Sequence, residues 1–160
     1  MAKNASALRT EVMIPQVKTK VNETKLKQRL ETENFGVHLM LDAYFGDEEK
    51  LASMDLVFTV LNELPELLGM HKIITPYVVR ADANDKKDPG GYSGFVMIAE
   101  SHISIHTFPK KGFASIDVYT CQSRLDTRRI CSYFEQQFGF KELEIRDTKR
   151  GLKFPKRLLS

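Results

Sequence analysis

The fold is decided by the stretch Ser93-Gly-Phe-Val-Met-Ile-Ala-Glu-Ser-His-Ile-Ser-Ile-His-Thr-Phe-Pro-Lys-Lys-Gly-Phe-Ala-Ser-Ile-Asp-Val-Tyr-Thr120. Its apolar and β-branched runs predict three successive strands, over residues 93–99, 102–108 and 113–120. Residues 109–112, Pro-Lys-Lys-Gly, are typical of a tight turn. Neighbouring strands are therefore expected to pair antiparallel.

A period of two separates the side chains of these strands into two faces. On the second strand, Ile103 and Ile105 are expected in a core, and His102, Ser104 and His106 on a solvated face. On the third strand one face is expected to carry Phe113, Ser115, Asp117, Tyr119 and Cys121.

Upstream of this stretch, residues 36–45 predict a strand, and Asp47 is expected to begin a helix. Spacings of three and four give that helix one apolar face, formed by Leu51, Met54, Val57, Phe58, Leu61 and Leu64. Pro65 is expected to kink or end it. Residues 73–79 predict a further strand, in which Pro76 indicates an edge or a bulge.

Downstream, Ser123 is expected to cap a second helix that ends at Gly139. Its apolar side is formed by Ile130, Tyr133, Phe134 and Phe138. Residues 141–146 predict the last strand. This order of elements favours an α+β fold, a two-layer sandwich in which a largely antiparallel sheet carries two helices on one face.

The length of 160 residues fits one domain. We divide the chain into a polar N-terminal arm (1–33), one folded domain (34–147) and a basic C-terminal tail (148–160). Two cysteines, Cys121 and Cys131, are too few for a disulfide scaffold and are expected to be free thiols.

Charge and hydropathy exclude two classes of partner. The net charge of +3, from 24 Lys and Arg against 21 Asp and Glu, is too small to indicate a nucleic-acid partner. No apolar run approaches the ~20 residues that a membrane span needs, and the N-terminus lacks the pattern of a secretory signal. A cytoplasmic location without a membrane partner is expected.

Residues 100–106 concentrate chemically active side chains, and several explanations compete for them. One explanation is that they line a solvated strand face and nothing more. His102 and His106 could be metal ligands, but four strand residues separate them by about 13 Å, so one ion does not bind both. Cys121 and His106 could form a thiol nucleophile and its base, although no local signature supports this pair.

A longer pattern is more specific than these residues taken singly. Ala-Glu-Ser-His-Ile-Ser-Ile-His-Thr at 99–107, then Pro109, Gly112 and Ile-Asp-Val-Tyr-Thr-Cys at 116–121, is similar to the core of the S-adenosylmethionine decarboxylase family in its small prokaryotic form. Gly-Tyr-Ser-Gly at 91–94 also resembles a family element. The likeness runs roughly from Gly36 to Arg146.

The resemblance implies a decarboxylase of polyamine and spermidine biosynthesis that is made as a zymogen. The protein itself would cut the bond between Glu100 and Ser101, and Ser101 would become a pyruvoyl group. That group would form a Schiff base with a small amino-acid-type substrate, S-adenosylmethionine, so that neither a metal nor pyridoxal phosphate is needed. Because the family forms dimers with sites near the subunit contact, a homodimer of cleaved protomers is expected.

The family pattern also gives roles to three further residues. Ser93 and His106 match its processing residues, and antiparallel pairing through the short link at Glu100 is expected to bring both near Ser101. Cys121 matches the family's proton donor to the substrate carbon. Cys131, on the apolar side of a helix, is expected to be a plain buried thiol.

Two lysines depart from the family pattern where it binds adenosine. Lys110 stands in place of a Glu that binds the ribose hydroxyls, and Lys87 in place of an aromatic ring that stacks on adenine. Lysine cannot accept hydroxyl hydrogens. Tyr77 or Tyr92 is the alternative source of the ring.

These departures keep two other functions open. One is a pyruvoyl-dependent decarboxylase of L-ornithine or L-arginine, which would need an acidic partner for the distal cation. The candidates are Asp42, Asp82, Asp85, Asp88 and Asp117. The other is a non-catalytic regulatory partner of an active homologue, against which intact Ser101, His106 and Cys121 count.

Overall fold

The computed structural model describes residues 34–84 and 89–154. Its strands are β1 (Gly36–Tyr44), β2 (Tyr77–Ala81), β3 (Gly91–Ile98), β4 (Ser101–Phe108), β5 (Phe113–Thr120) and β6 (Glu142–Arg150). Its helices are α1 (Glu48–Leu51), α2 (Met54–Leu67) and α3 (Thr127–Phe138), and a 3-10 turn spans Pro109–Lys111. The predicted N-terminal arm, the last six residues of the tail, Asp85, Lys87 and Asp88 lie outside the described residues.

The strands form one sheet in the order β2-β3-β4-β5-β1-β6, and every neighbouring pair is antiparallel. One face of this sheet packs against the helices and is buried. Its buried side chains include Leu39, Leu41, Val96, Ile98, Ile103, Ile105, Ile116 and Val118. The helices add Val57, Leu61, Leu64, Ile130, Phe134 and Phe138 to the same core. Each such side chain stabilises the fold by about 1.5–3 kcal/mol.

The predicted α+β two-layer sandwich is therefore confirmed. The two helices that the sequence predicted are observed as three, because the first is divided into α1 and α2.

We call the opposite surface of the sheet the open face, because no helix covers it in the described part of the chain. It carries Ser93, Phe95 and Met97 of β3, His102, Ser104 and His106 of β4, and Ser115, Asp117 and Tyr119 of β5. Their side chains range from half-buried to exposed, with Phe95 at 40% and Met97 at 46% exposure. The alternation between a core face and a solvated face is observed on β4 and β5, the two strands for which it was predicted.

The helix boundaries differ from the prediction at two caps. The helix expected from Asp47 onward is split, because Ser53 adopts extended backbone and its hydroxyl accepts a hydrogen bond from the Leu56 amide. The second helix begins after Asp126, whose carboxylate accepts a hydrogen bond from the Arg129 amide, and not after Ser123. Both errors arise because several residues suited to capping lie close together in each segment.

The outer strands differ from the prediction in length. β2 begins only at Tyr77, after Pro76, and it is an edge strand as that proline indicated. β6 continues to Arg150, which pairs with Gly36, so it crosses residue 148 where the basic tail was expected to begin.

Candidate active site

Strands β3 and β4 form a hairpin with a link of only two residues, Ala99 and Glu100. Ile98 and Ser101 are the last paired residues. Two-residue hairpins normally need positive φ within the turn, and Gly or Asn supplies it. Here the positive φ, 151°, falls on Ser101, in a region that residues with a Cβ avoid. The backbone is therefore strained at the residue that follows the predicted cleavage site.

The carbonyl of Glu100 is bound by the backbone amide of Cys121. The Cys121 N–H donates a hydrogen bond of 2.7 Å to this oxygen. The position of this amide follows from the register, because Ser101 pairs with Thr120 and thereby places the residue directly after β5 beside the turn. A donor on a carbonyl oxygen polarises that carbonyl and stabilises the negative charge that develops there during attack.

β1 passes unusually close to the same point. A Cβ on Gly36 would lie 2.2 Å from the carbonyl oxygen of Thr120 and 3.1 Å from the Cα of Cys121. A glycine is therefore required for β1 to lie against the end of β5 that positions the Cys121 amide.

The thiol of Cys121 is exposed. It follows directly after β5, two residues beyond Tyr119 of the open face. The structure thus brings three predicted residues together at one end of the sheet: Glu100, Ser101 and Cys121. Cys131, in contrast, is buried in α3, and burial raises the pKa of its thiol.

Ser93 and His106 also contact each other, but at a position on β3 and β4 that is remote from Ser101. The two residues are directly paired across β3 and β4, and the hydroxyl of Ser93 lies 2.9 Å from Nδ1 of His106. Five residues separate His106 from Ser101 along β4, which is about 16 Å of extended strand. The expectation that the hairpin would bring this pair near Ser101 is therefore wrong within one chain, because the link is a tight turn and both residues lie far along the strands.

The side chain of Glu100 has a partner that the sequence did not reveal. His71 donates its backbone N–H to Oε2 at 3.1 Å, and its Nδ1 lies 3.0 Å from Oε1. Burial acts to raise the pKa of Glu100, but the hydrogen bonds from the ring and backbone of His71 outweigh it, so this pKa lies below its ordinary value. His71 lies 29 residues away, in a segment without any motif.

The other polar side chains of the open face form contacts of their own. The ring of His102 packs edge-on against Tyr119, and the guanidinium carbon of Arg150 lies 4.3 Å from the centroid of the Tyr119 ring. His38 Nε2 is 2.8 Å from Oδ1 of Asp117. Within the described residues, no group of three His, Cys, Asp or Glu side chains is arranged to hold a metal ion.

Of the candidate specificity residues, Lys110 lies at the end of the hairpin that is remote from Ser101. Lys110 is exposed in the 3-10 turn and lines a pocket together with Tyr92 and Glu48. Lys87 lies outside the described residues. Tyr77 is 60% exposed on β2, and its ring centroid is 6.1 Å from that of Phe95.

Comparison with known proteins agrees with this architecture. A family model described as S-adenosylmethionine decarboxylase matches residues 37–151. The chain belongs to this family. It is therefore a decarboxylase, a carboxy-lyase, and the matched residues include both strands of the strained hairpin.

Individual members of the S-adenosylmethionine decarboxylase family match over most of their length. A protein from Thermococcus kodakarensis, named S-adenosylmethionine decarboxylase proenzyme, is 35% identical over 122 residues, which are 76% of this chain and 80% of that protein. A proenzyme of the same name from Clostridium botulinum is 34% identical over 116 residues, 72% of this chain and 94% of its own.

The fold comparison gives the same family. The crystal structure of the adenosylmethionine decarboxylase from Aquifex aeolicus superposes with a TM-score of 0.64 at 29% sequence identity, covering 75% of this chain and 93% of that one. No helix in residues 34–84 and 89–154 is both long enough and apolar enough to span a membrane.

Proposed function

We propose that this chain is a cytoplasmic proenzyme that cuts itself between Glu100 and Ser101 and then decarboxylates S-adenosylmethionine in polyamine biosynthesis. The observation that carries the proposal is the geometry of that peptide bond. Its carbonyl is already hydrogen-bonded to the Cys121 amide, and the residue that contains the attacking hydroxyl has strained backbone. Strain of this kind costs about 1–3 kcal/mol and is concentrated at functional sites.

The cut would proceed by chemistry within the chain. The Ser101 hydroxyl attacks the Glu100 carbonyl carbon, the C–N bond breaks, and the amide becomes an ester with a free amine on residue 101. Removal of the Ser101 α-proton then expels the Glu100 carboxylate. The resulting dehydroalanine takes up water and releases ammonia, which leaves a pyruvoyl group at the start of the fragment 101–160.

Several residues fit the generation and use of that group. The Cys121 amide stabilises the oxygen of Glu100 during attack. Once formed, the pyruvoyl carbonyl supplies the electron sink that decarboxylation requires, as pyridoxal phosphate does in other enzymes. Cys121, whose backbone amide binds the Glu100 carbonyl, also carries an exposed thiol, and this thiol would deliver the proton that the substrate carbon needs after carbon dioxide leaves.

A second copy of the chain would cover the open face. Phe95 and Met97 are 40% and 46% exposed there, and the neighbouring ring of Tyr77 is 60% exposed. Adjacent exposed apolar side chains of this kind are typical of an interface. Within one chain, about 16 Å of strand separate His106 from Ser101. A homodimer would remove this difficulty, because the Ser93–His106 pair of one protomer would then act on Ser101 of the other.

Mixed dimers test this arrangement directly. A His106→Ala chain is expected to stay uncut alone, and to be cut when it is co-expressed with a Ser101→Ala chain that supplies an intact His106. Heterodimers isolated through two different affinity tags would be analysed by mass spectrometry for the fragment 101–160.

A chain that carries both Ser101→Ala and His106→Ala is the matched control, and it should not rescue its partner. Heterodimers that remain uncut while the wild-type chain is cut would refute action across the interface.

The substrate assignment rests on the relatives. The matching proteins are named S-adenosylmethionine decarboxylase proenzymes, and this favours S-adenosylmethionine over ornithine or arginine. Glu48 and Tyr92 border the same pocket as Lys110, so an acceptor and a ring are present beside the lysine that departs from the family pattern.

Release of carbon dioxide from the three carboxyl-labelled amino acids decides the substrate. We expect kcat/KM for S-adenosylmethionine to exceed that for L-ornithine and L-arginine by about 100-fold or more. Turnover of ornithine or arginine alone would overturn the assignment. Absence of turnover on all three by a chain that is cut would favour the regulatory partner.

A further inference from the structure

The segment between α2 and β2 is attached to the end of the hairpin that contains the predicted cut. The Ile73 amide donates to the Met97 carbonyl at 2.9 Å, and the Ala99 amide donates to the His71 carbonyl at 2.8 Å. Between them, Lys72 forms an isolated bridge with Ile98. Residues 71–73 therefore follow β3 up to the turn, on the side of β3 that does not face β4.

His71 completes this attachment by binding the Glu100 carboxylate with two donors, its backbone N–H and its ring. Only 15% of the Glu100 side chain is exposed, whereas 82% of the His71 side chain is exposed. A largely buried carboxylate is costly unless hydrogen bonds satisfy it, and His71 supplies one bond to each of its oxygens.

Glu100 is thus held at both ends. On one side its carboxylate is bound by His71, and on the other its carbonyl oxygen is bound by the Cys121 amide. Ala-Glu is not a sequence that favours a two-residue hairpin link by itself, since neither residue readily adopts positive φ. Contacts from outside the turn are therefore needed to fix the orientation of the scissile carbonyl.

We propose that His71 is a positioning residue for self-cleavage: by holding the Glu100 carboxylate, it keeps the Glu100 carbonyl on the Cys121 amide and in reach of the Ser101 hydroxyl. The inference rests on the proposed self-cleavage. Small losses of alignment reduce the rate of an intramolecular attack strongly. Because His71 occupies both oxygens of Glu100, this carboxylate serves to fix the turn.

The test is the rate of the cut in the full-length chain. Chains would be pulse-labelled during translation in vitro and chased, and the fragments 1–100 and 101–160 would be separated at each time point. His71→Ala is expected to slow the cut about fivefold or more, since it removes one charge-assisted hydrogen bond and leaves the backbone donor in place. His71→Asn is expected to restore part of the rate, because its amide can donate from nearly the same position as Nδ1.

Two further variants separate positioning from general stability. Lys72→Ala is the matched control on the same segment; it removes the hydrogen bonds of Nζ to Asn62 and should leave the rate of the cut unchanged. Glu100→Ala should slow the cut, and combining it with His71→Ala should add little, because both changes remove one interaction. Thermal unfolding is measured on every variant.

The outcomes are distinct. A His71→Ala chain that is cut at the wild-type rate would refute the role of His71, as would equal slowing by Lys72→Ala. Fully additive effects of His71→Ala and Glu100→Ala would also contradict it. If His71→Ala is too unstable to measure, the rate of the cut in His71→Asn is compared with the rate in Lys72→Ala. A rate that is no lower in His71→Asn than in Lys72→Ala would then refute the role of His71. A wild-type chain that is never cut would instead overturn the proposed function itself.

Discussion

Replacing Ser101 with alanine is expected to leave one intact chain of 160 residues and to abolish decarboxylation. Alanine has no hydroxyl to attack the Glu100 carbonyl, so no ester forms and no pyruvoyl group is made. Activity should fall to the uncatalysed background, a loss of at least about 10⁴-fold. Intact-mass spectrometry and carbon dioxide release, measured on the same preparation, check the two halves of this prediction.

Two comparison variants make the result specific. Ser104→Ala removes a hydroxyl from the open face of the same strand, three residues from Ser101, and should be cut and active. Ser101→Cys retains a nucleophile and should be cut, at a lower rate. Decarboxylation by an uncut Ser101→Ala chain would refute the proposed mechanism.

Replacing Cys121 with alanine is expected to separate the cut from the turnover. The group that touches the Glu100 carbonyl is the backbone amide of residue 121, which alanine retains, so both fragments should still appear. The thiol is lost, and with it the proposed proton donor, so kcat should fall about 10²- to 10⁴-fold. Protonation at the wrong carbon should also convert residue 101 to alanine during turnover, a change that mass spectrometry of the fragment 101–160 detects.

The second cysteine provides the control. Cys131→Ala removes a buried thiol from the core and should lower the free energy of unfolding while leaving turnover per cleaved protomer unchanged. An uncut Cys121→Ala chain would place the thiol in the cleavage step. Undiminished kcat in Cys121→Ala would show that another group donates the proton.

Much of the fold could be predicted because the spacing of apolar residues along a strand or helix indicates which side chains are buried. β5 spans the residues predicted for it, Phe113–Thr120, since alternation and the turn before it agree. Pro76 correctly indicated an edge strand. Helix starts were harder, because Ser53 and Asp126 are no more obvious as caps than their polar neighbours until the surrounding packing is known.

The site was only partly predictable, for a different reason. Ser101 and Cys121 were predicted from the family pattern, and their roles stay predictions, but the donor that binds the Glu100 carbonyl is a backbone amide, which every residue except proline has. His71 lies far away in sequence and carries no pattern. The distance of Ser93 and His106 from Ser101 depends on strand register, which spacing alone does not give.

The order of strands in the sheet has a consequence for the chain after the proposed cut. β1 belongs to the fragment 1–100, yet it lies between β5 and β6 of the fragment 101–160, while β3 pairs with β4 across the cut. The two fragments are interleaved, and three of the five strand ladders within the described residues join one fragment to the other. Separating the two fragments would require the loss of these three ladders, so the proposed cut between Glu100 and Ser101 would leave the sheet held together.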